Sequence, residues 1–322
     1  MKAARVGLVV ALVLLAGWLV APRENLVPEQ RFDAKKLSQG IAAYLTADEA
    51  RHANIRAGSE KQVIWAAEPE VQTEWSIVYL HGFSASSSEL RPVPDRLAEH
   101  MGANLYFVRF AGHGQDGAAL GQARAADWVY DVQEAIAIGQ NIGKKTLVLS
   151  TSTGGSLATL AAADPEMSKR VSALVFVSPN YAVNNPAAFL LTQPGARVWV
   201  PWLIGSERSF TPQNDAHAAA WTQSYATEAI IPMAAVAKAA RGLDHSQITQ
   251  PALFIYAPED QIVRSDISDE VRSNWGGDTT YFTPPLGDAD DPGRHVIAGE
   301  ILSPEATPFV IDALVDWVSN LP

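Results

Sequence analysis

Short apolar segments recur along the chain and alternate with longer segments in which apolar residues have helical spacing. Residues 127–142 have apolar side chains three and four positions apart, which predicts a helix, and another helix is predicted at 304–320. The short apolar segments predict strands at 63–65, 75–80, 104–110, 146–149, 173–177, 252–256 and 279–283. Strands that alternate with helices predict an α/β fold, with a mostly parallel sheet and helices on both faces.

The segment Ser150-Thr151-Ser152-Thr153-Gly154 separates the predicted strand 146–149 from a helix that begins in small residues. This is the context of a nucleophile elbow, a sharp turn that exposes a serine hydroxyl. Glycine is usual two residues before and two after the nucleophile because these positions crowd each other; Gly154 fits, and Ser150 departs from the pattern. We predict Ser152 as the nucleophile, with a Ser/Thr-rich turn that has no chemistry as the alternative.

Upstream, the loop His81-Gly82-Phe83-Ser84 follows the predicted strand 75–80. Acyl transfer passes through a tetrahedral oxyanion, and backbone N–H groups in such a loop can stabilise it. We predict the backbone N–H groups of Phe83 and Thr153 as the oxyanion donors. His81 is expected to be structural, and Ser84 is expected either to touch substrate or to belong to a polar loop that caps the next helix.

Downstream, an acid and a histidine follow the later strands. Asp260 lies after the strand 252–256, and carboxylates in such a position reach the crevice where open α/β sheets bind ligands; Glu259 is the alternative. Of the seven histidines, His295 alone lies between the last predicted strand and the last predicted helix. The chain order serine, acid, histidine therefore predicts the triad Ser152, Asp260 and His295.

Taken together, these segments resemble the α/β-hydrolase superfamily and, within it, the bacterial carboxylesterase, lysophospholipase and monoacylglycerol lipase-like group. The resemblance runs from about residue 62 to the C-terminus. It is carried by His81-Gly82-Phe83, Ala111-Gly112-His113-Gly114, the Ser152 elbow, Asp260 with Val263, and His295. It implies a serine hydrolase in which the loop around His113 is structural. Ala257 departs from the family pattern, which has glycine three residues before the acid.

About seventy residues separate Asn180 from the strand at 252, far more than an ordinary α/β connection, so they must form structure of their own. The resemblance places an inserted helical cap here. We therefore divide the chain into a core (62–180 and 250–322) and a cap (181–249). The first half of the cap is apolar and could line an acyl pocket, touch a membrane or form the core of the cap. The predicted pocket residues are Ser84, Asn180, Tyr181, Trp199 and Trp202.

The N-terminus has the layout of a secretory signal, because Lys2 and Arg5 precede an apolar run over 6–21. This run is shorter than the roughly 20 residues that span a bilayer comfortably. Small residues are not well placed for cleavage before Pro22, which favours an uncleaved anchor over a cleaved signal for residues 1–22. We expect a membrane-anchored or exported protein on the periplasmic side of a bacterial inner membrane, with a cytoplasmic domain as the alternative. Residues 23–61 are predicted as a polar linker with a helical segment at 32–56.

Composition narrows the possible functions. The formal net charge of the 322 residues is -11, which disfavours an extended nucleic-acid surface. The chain has no cysteine, which excludes disulfides and thiolate chemistry, and we see no metal-binding motif, so no metal or cofactor is required. The expected partners are a small-molecule ester or lipid substrate and a membrane. The expected function is a serine esterase; a peptidase or amidase, an acyltransferase and an inactive membrane-tethered binding protein are the alternatives.

Overall fold

A computed structural model describes residues 17, 18 and 20–321 of the chain. The predicted apolar run at 6–21 falls mostly outside these residues. Within the described part, no helix is both long enough and apolar enough to cross a membrane. The strands are β1 (Gln62–Ile64), β2 (Thr73–Leu80), β3 (Asn104–Phe107), β4 (Gly143–Thr151), β5 (Ala173–Val177), β6 (Glu207–Ser209), β7 (Ser224–Ala226), β8 (Ala252–Ile255) and β9 (Thr279–Phe282).

Among the described residues, seven strands form one sheet in the order β1-β3-β2-β4-β5-β8-β9. Every neighbouring pair is parallel except β1 with β3. The register pairs Leu80 with Ser150 and Thr151 with Val177, so the carboxyl ends of β2, β4 and β5 meet at one edge of the sheet. Strands β6 and β7 form a separate antiparallel pair in the region predicted as the cap.

The α-helices are α1 (Ile41–Glu49), α2 (Val93–Met101), α3 (Gly117–Gln122), α4 (Ala125–Ile142), α5 (Thr153–Ala163), α6 (Ala196–Ile204), α7 (Asp215–Ala220), α8 (Ile230–Arg241), α9 (Ser265–Ser273) and α10 (Thr307–Val318). Short 3-10 helices lie at Ala34–Gln39, Ser87–Glu89, Ser168–Arg170, Pro186–Thr192, Thr227–Ala229 and His245–Gln247.

Each face of the sheet carries its own apolar core, because successive strand residues point to opposite faces. In β2, Ile77 and Tyr79 pack with helices α2 and α10, whereas Val78 and Leu80 pack with α4, α5 and α8 on the other face. The predicted α/β fold, with a mostly parallel sheet between two helical layers and an inserted cap, is therefore confirmed.

Three local predictions differ from the structure. The strand predicted to reach residue 110 ends at Phe107, because the chain turns there and the Phe110 N–H donates to a ring nitrogen of His81. The helix predicted at 32–56 is divided, because Gly40 has a φ of 96° and separates the 3-10 helix from α1. The segment predicted as a linker packs on the core, where buried Lys61 pairs with Asp48 and Glu134.

Candidate active site

Ser152 lies in a strained turn between β4 and α5. Its backbone has φ 51° and ψ -114°, a conformation that non-glycine residues rarely adopt and that is often found at functional sites. Glycine is required at 154, because a Cβ there would collide with the carbonyl oxygen of Leu80. The start of α5 is thus pressed against the end of β2. Serine is tolerated at 150 because its buried hydroxyl donates to the Val175 carbonyl at 2.8 Å.

The three residues of the predicted triad lie together and form one hydrogen-bonded chain. His295 Nε2 is 3.0 Å from Ser152 Oγ, and His295 Nδ1 is 2.7 Å from Asp260 Oδ2. The other oxygen of Asp260 accepts the backbone N–H groups of Ile262 and Val263, which fixes the carboxylate. All three side chains are buried. This geometry allows His295 to receive the serine proton while Asp260 orients the imidazole.

Several charges act on the imidazole. Burial lowers the pKa of His295, but the charge and hydrogen bond of Asp260, together with the charges of Glu89 and Asp291, outweigh it. The pKa of His295 therefore lies above its ordinary value of 6.5. A raised pKa favours the imidazolium that forms when the serine proton is transferred.

Asp291, in the acidic loop before His295, holds the histidine segment in place. Its carboxylate accepts the backbone N–H groups of Gly293, His295 and Val296, and it accepts the side-chain amide of Gln213 at 2.9 Å. Burial opposes ionisation, yet these hydrogen bonds keep the pKa of Asp291 below its ordinary value. Its role was not predicted from the sequence, although an aspartate two residues before a glycine is a turn signal.

The two predicted oxyanion donors belong to different segments. Phe83 follows Gly82 in the loop after β2, and Thr153 is the first residue of α5, where a backbone N–H has no partner in its own helix. Neither N–H donates a hydrogen bond to another described residue. Both are therefore available to an oxygen bound beside Ser152.

Glu89 holds the oxyanion loop in place through Gly82, a role that was not predicted from the sequence. Its carboxylate accepts the Gly82 N–H at 2.7 Å and the Tyr79 hydroxyl at 3.0 Å, and Tyr79 also contacts the Thr151 hydroxyl. Burial raises the pKa of Glu89 to about 7, against these two hydrogen bonds. No sequence signal marks this residue, because a glutamate at a helix start is usually solvated.

His81 and His113 are held in structural positions. His81 Nδ1 lies 2.8 Å from the Gly82 carbonyl, while its Nε2 accepts the Phe110 N–H. Burial lowers the pKa of His81 to about 4, and it also lowers the pKa of His113. Both imidazoles are therefore neutral at pH 7, and their hydrogen bonds go to other residues than Ser152.

Three of the five predicted pocket residues border the elbow or the oxyanion loop. The Ser84 carbonyl accepts the N–H of Thr222 in the cap, and the Asn180 N–H donates to the Ser152 carbonyl at 2.9 Å. Tyr181 is buried, with its hydroxyl 2.8 Å from Thr159. Asn180 Oδ1 is buried without a hydrogen-bond partner among the described residues, so it can accept a hydrogen bond from a bound molecule.

The structure does not bring the two predicted tryptophans to the site. The Trp199 indole donates to the Pro194 carbonyl at 2.9 Å and packs within the cap. Trp202 is 90% exposed, so its assignment to the pocket is wrong. The physical reason is which face of α6 packs on the rest of the protein. Ala196 and Val200 lie on the buried face, and Trp202 lies on the exposed face.

A cavity of about 590 Å³ lies beside the loop that carries Asp260 and Val263, which we call the acid loop, but the triad does not line this cavity. It is bounded by the cap and by the segment after β5, which pairs with the acid loop through Val183 and Val263. Apolar side chains such as Tyr181 and Phe189 line its wall, and Lys238, Arg241 and Arg264 contribute cationic groups. Within the part of the chain that the structure describes, no cluster of three or more His, Asp or Glu side chains could hold a metal ion.

The fold and the site agree with the family comparison. Residues 71–282 match the sequence model of the family described as Serine aminopeptidase, S33. The chain therefore belongs to this family of α/β-hydrolases, and it is a hydrolase of that superfamily. No curated protein matches the chain in sequence.

Solved structures share the fold at low sequence identity. A structure described for LipS and LipT, two metagenome-derived lipolytic enzymes, has a TM-score of 0.66 at 16% identity and covers 83% of this chain and 99% of that one. A soluble variant of monoglyceride lipase from Saccharomyces cerevisiae has a TM-score of 0.61 at 12% identity, covering 81% and 90%. Monoacylglycerol lipase from Paleococcus ferrophilus has a TM-score of 0.58 at 15% identity, covering 81% and 98%. At these identities the likeness concerns the fold.

Proposed function

We propose that this protein is a serine hydrolase that cleaves carboxylic esters through an acyl-enzyme. The observation that carries the proposal is the hydrogen-bonded chain from Asp260 through His295 to Ser152. The unpaired N–H groups of Phe83 and Thr153 support it. A serine hydroxyl needs such a base to become an effective nucleophile.

In the first step, Ser152 Oγ bonds to the ester carbonyl carbon as its proton passes to His295 Nε2. The carbonyl oxygen becomes an oxyanion and accepts the N–H groups of Phe83 and Thr153. The carbon–oxygen bond to the alcohol then breaks, and the alcohol leaves with the proton from His295. In the second step His295 takes a proton from water, which attacks the acyl carbon, and Ser152 Oγ leaves with that proton. Asp260 orients the imidazole in both steps.

The family is described as an aminopeptidase, so a peptide with a free amino terminus has to be considered as the substrate. The buried carboxylates favour an ester instead. A charged peptide amine is bound most strongly by a carboxylate that has no other donor, placed near the nucleophile. Asp260, Glu89 and Asp291 are the buried acids that act on His295, and protein donors already occupy each of them. The low-identity neighbours named as lipases add support for an apolar ester, such as an acylglycerol. An acyltransferase would use the same triad and differ only in the acceptor of the acyl group.

Fluorophosphonate labelling of the full chain in detergent tests the nucleophile without knowledge of the substrate. We expect a phosphonyl adduct on Ser152, located by mass spectrometry, and no adduct in Ser152→Ala. A folded wild-type protein that is not labelled would contradict the proposal and favour a binding protein. Matched p-nitrophenyl esters and p-nitroanilides of increasing acyl length then compare ester with amide turnover, and added glycerol detects acyl transfer.

We also propose that residues 1–22 hold the protein at a membrane, on the periplasmic side. The support is the apolar run at 6–21 with Lys2, Arg5 and Arg23 around it. Carbonate extraction of bacterial membranes should leave the protein in the pellet, and protease added to spheroplasts should digest it. Recovery in the soluble fraction, or protection from protease, would contradict this proposal.

A further inference from the structure

Helix α6 of the cap presents large apolar side chains to solvent. Val198 and Trp202 lie four residues apart on its outer side and are 70% and 90% exposed, and Leu203 is 63% exposed at its end. Phe189, in the preceding 3-10 helix, is exposed as well. We call these residues, Phe189, Val198, Trp202, Leu203 and Ile204, the cap face. Water-facing helix surfaces normally carry polar residues, so an apolar surface of this kind indicates a docking surface.

The N-terminal part of the chain meets the fold at the start of the same helix. The Gly195 N–H donates to the Pro22 carbonyl at 2.8 Å. Glu24 is buried, where it pairs with Arg197 of α6 at 2.8 Å and accepts the Ala125 N–H at 3.0 Å. Residues 22–24 are thus fixed beside the cap face, and in the sequence they follow directly on the apolar run at 6–21.

We infer that the cap face docks on a lipid bilayer, side by side with the N-terminal segment. This inference rests on the membrane attachment proposed above and adds a second contact to it. One bilayer surface can receive both apolar elements, because residues 22–24 join them at the same place. The cationic residues Lys2, Arg5 and Arg23 flank the apolar run and suit anionic lipid headgroups. An exposed tryptophan such as Trp202 is typical of the membrane–water interface.

Docking in this way would place the cap, with its cavity, at the lipid surface. Phe189 belongs to the cap face and also lines the cavity of about 590 Å³, so the two are continuous. Lipid molecules could therefore pass from the bilayer to the cavity wall without crossing water.

Because the chain has no cysteine, a single introduced cysteine can carry one probe. We would attach a polarity-sensitive fluorophore to Trp202→Cys in the full chain and reconstitute it in vesicles of phosphatidylcholine with phosphatidylglycerol. Leu203→Cys repeats the measurement one residue further on. Lys144→Cys is the control, because Lys144 is 65% exposed at the start of β4, on the opposite edge of the sheet from the active site.

We expect a blue shift and strong quenching by nitroxide-labelled lipid for the probes at 202 and 203, with little of either at 144. Probes at 202 and 203 that stay as accessible to aqueous iodide as the control would overturn the inference. Probes shielded from iodide but not quenched by labelled lipid would overturn it too, because protein would then cover the cap face. The measurement does not depend on hydrolysis, so its failure is separate from that of the proposed function.

Discussion

Two buried carboxylates act on His295, Asp260 directly and Glu89 from the oxyanion loop, and they have different surroundings. Asp260 accepts three hydrogen bonds, one of them from an imidazole that can become a cation. Glu89 accepts two hydrogen bonds from neutral groups, and burial raises its pKa to about 7. Burial alone therefore does not decide what a carboxylate does. Glu89 has only neutral donors and gains and loses a proton near neutral pH, whereas Asp260 is paired with an imidazole that can become a cation.

The largest effect is expected on the Asp260 side. Asp260→Asn keeps an oxygen for the N–H groups of Ile262 and Val263 but removes the charge that orients His295. Turnover should fall by about 10⁴ with the fold intact. Steady-state kinetics measure this, and circular dichroism checks the fold. Turnover close to that of the wild type would remove Asp260 from the triad.

The pH profile of the wild-type protein tests the balance of charges at His295. The imidazole must be neutral to accept the serine proton, and its pKa is raised above 6.5. We therefore expect kcat/KM for a neutral ester to fall as the pH falls through a value above 6.5, by about tenfold per pH unit below it. A profile that stays flat down to pH 5 would argue against His295 as the base.

On the Glu89 side, two substitutions separate charge from hydrogen bonding. Glu89→Gln keeps an acceptor for the Gly82 N–H, and Tyr79 can donate to Thr151 instead. Because the Glu89 charge helps to raise the pKa of His295, its removal should move the acid limb of the profile to lower pH. Glu89→Ala leaves the Gly82 N–H without a partner, and kcat should fall by about tenfold, in line with the 1–3 kcal/mol cost of an unsatisfied buried group.

Full pH profiles of kcat/KM for both Glu89 variants are compared with the wild type. Recovery of kcat by glutamine but not by alanine would show that the acceptor positions the oxyanion loop. If both variants have the pH profile and the turnover of the wild type, Glu89 affects neither the pKa of His295 nor the position of the oxyanion loop.

The smallest effect is expected at the elbow strand, which both sides share. Ser150→Gly restores the residue usual in this turn but removes the hydrogen bond to Val175. The free energy of unfolding should fall by about 1–2 kcal/mol, from one buried hydrogen bond and the flexibility of glycine. We expect kcat/KM to change by less than about threefold, which corresponds to under 1 kcal/mol. A large change in activity would show that the serine hydroxyl, and not only its size, matters for the turn.

Much of the fold could be predicted from local pattern. The apolar segment before Ser152 and the small residues after it specify a strand, a sharp turn and a helix within about twenty residues. Asp260 and His295 follow later strands, and a parallel sheet brings the carboxyl ends of its strands to one edge. Residues far apart in the chain therefore meet without any signal that joins them directly, and the structure brings the three predicted residues into contact.

The cap was less predictable. Its helix at Ile230–Arg241 could be predicted from Pro232 near its start, the alanine-rich run after it and Gly242 at its end. In α6, however, almost every residue is apolar, so periodicity does not show which side faces inward. Trp202 was therefore assigned to the pocket, whereas packing of Ala196 and Val200 turns it to the outside.

The amino-acid pattern alone was sufficient for the strand order along the chain, the elbow and the order of serine, acid and histidine, because each depends on near neighbours. Tertiary structure decided the supports of the site. Glu89 accepts the Gly82 N–H only because the fold buries both residues at the carboxyl end of β2. The Gln213 amide donates to Asp291 although the two residues are 78 positions apart in the sequence. Burial and contacts between segments set the pKa of the Glu89 and Asp291 carboxylates. The residues next to these two in the sequence determine neither their burial nor their contacts.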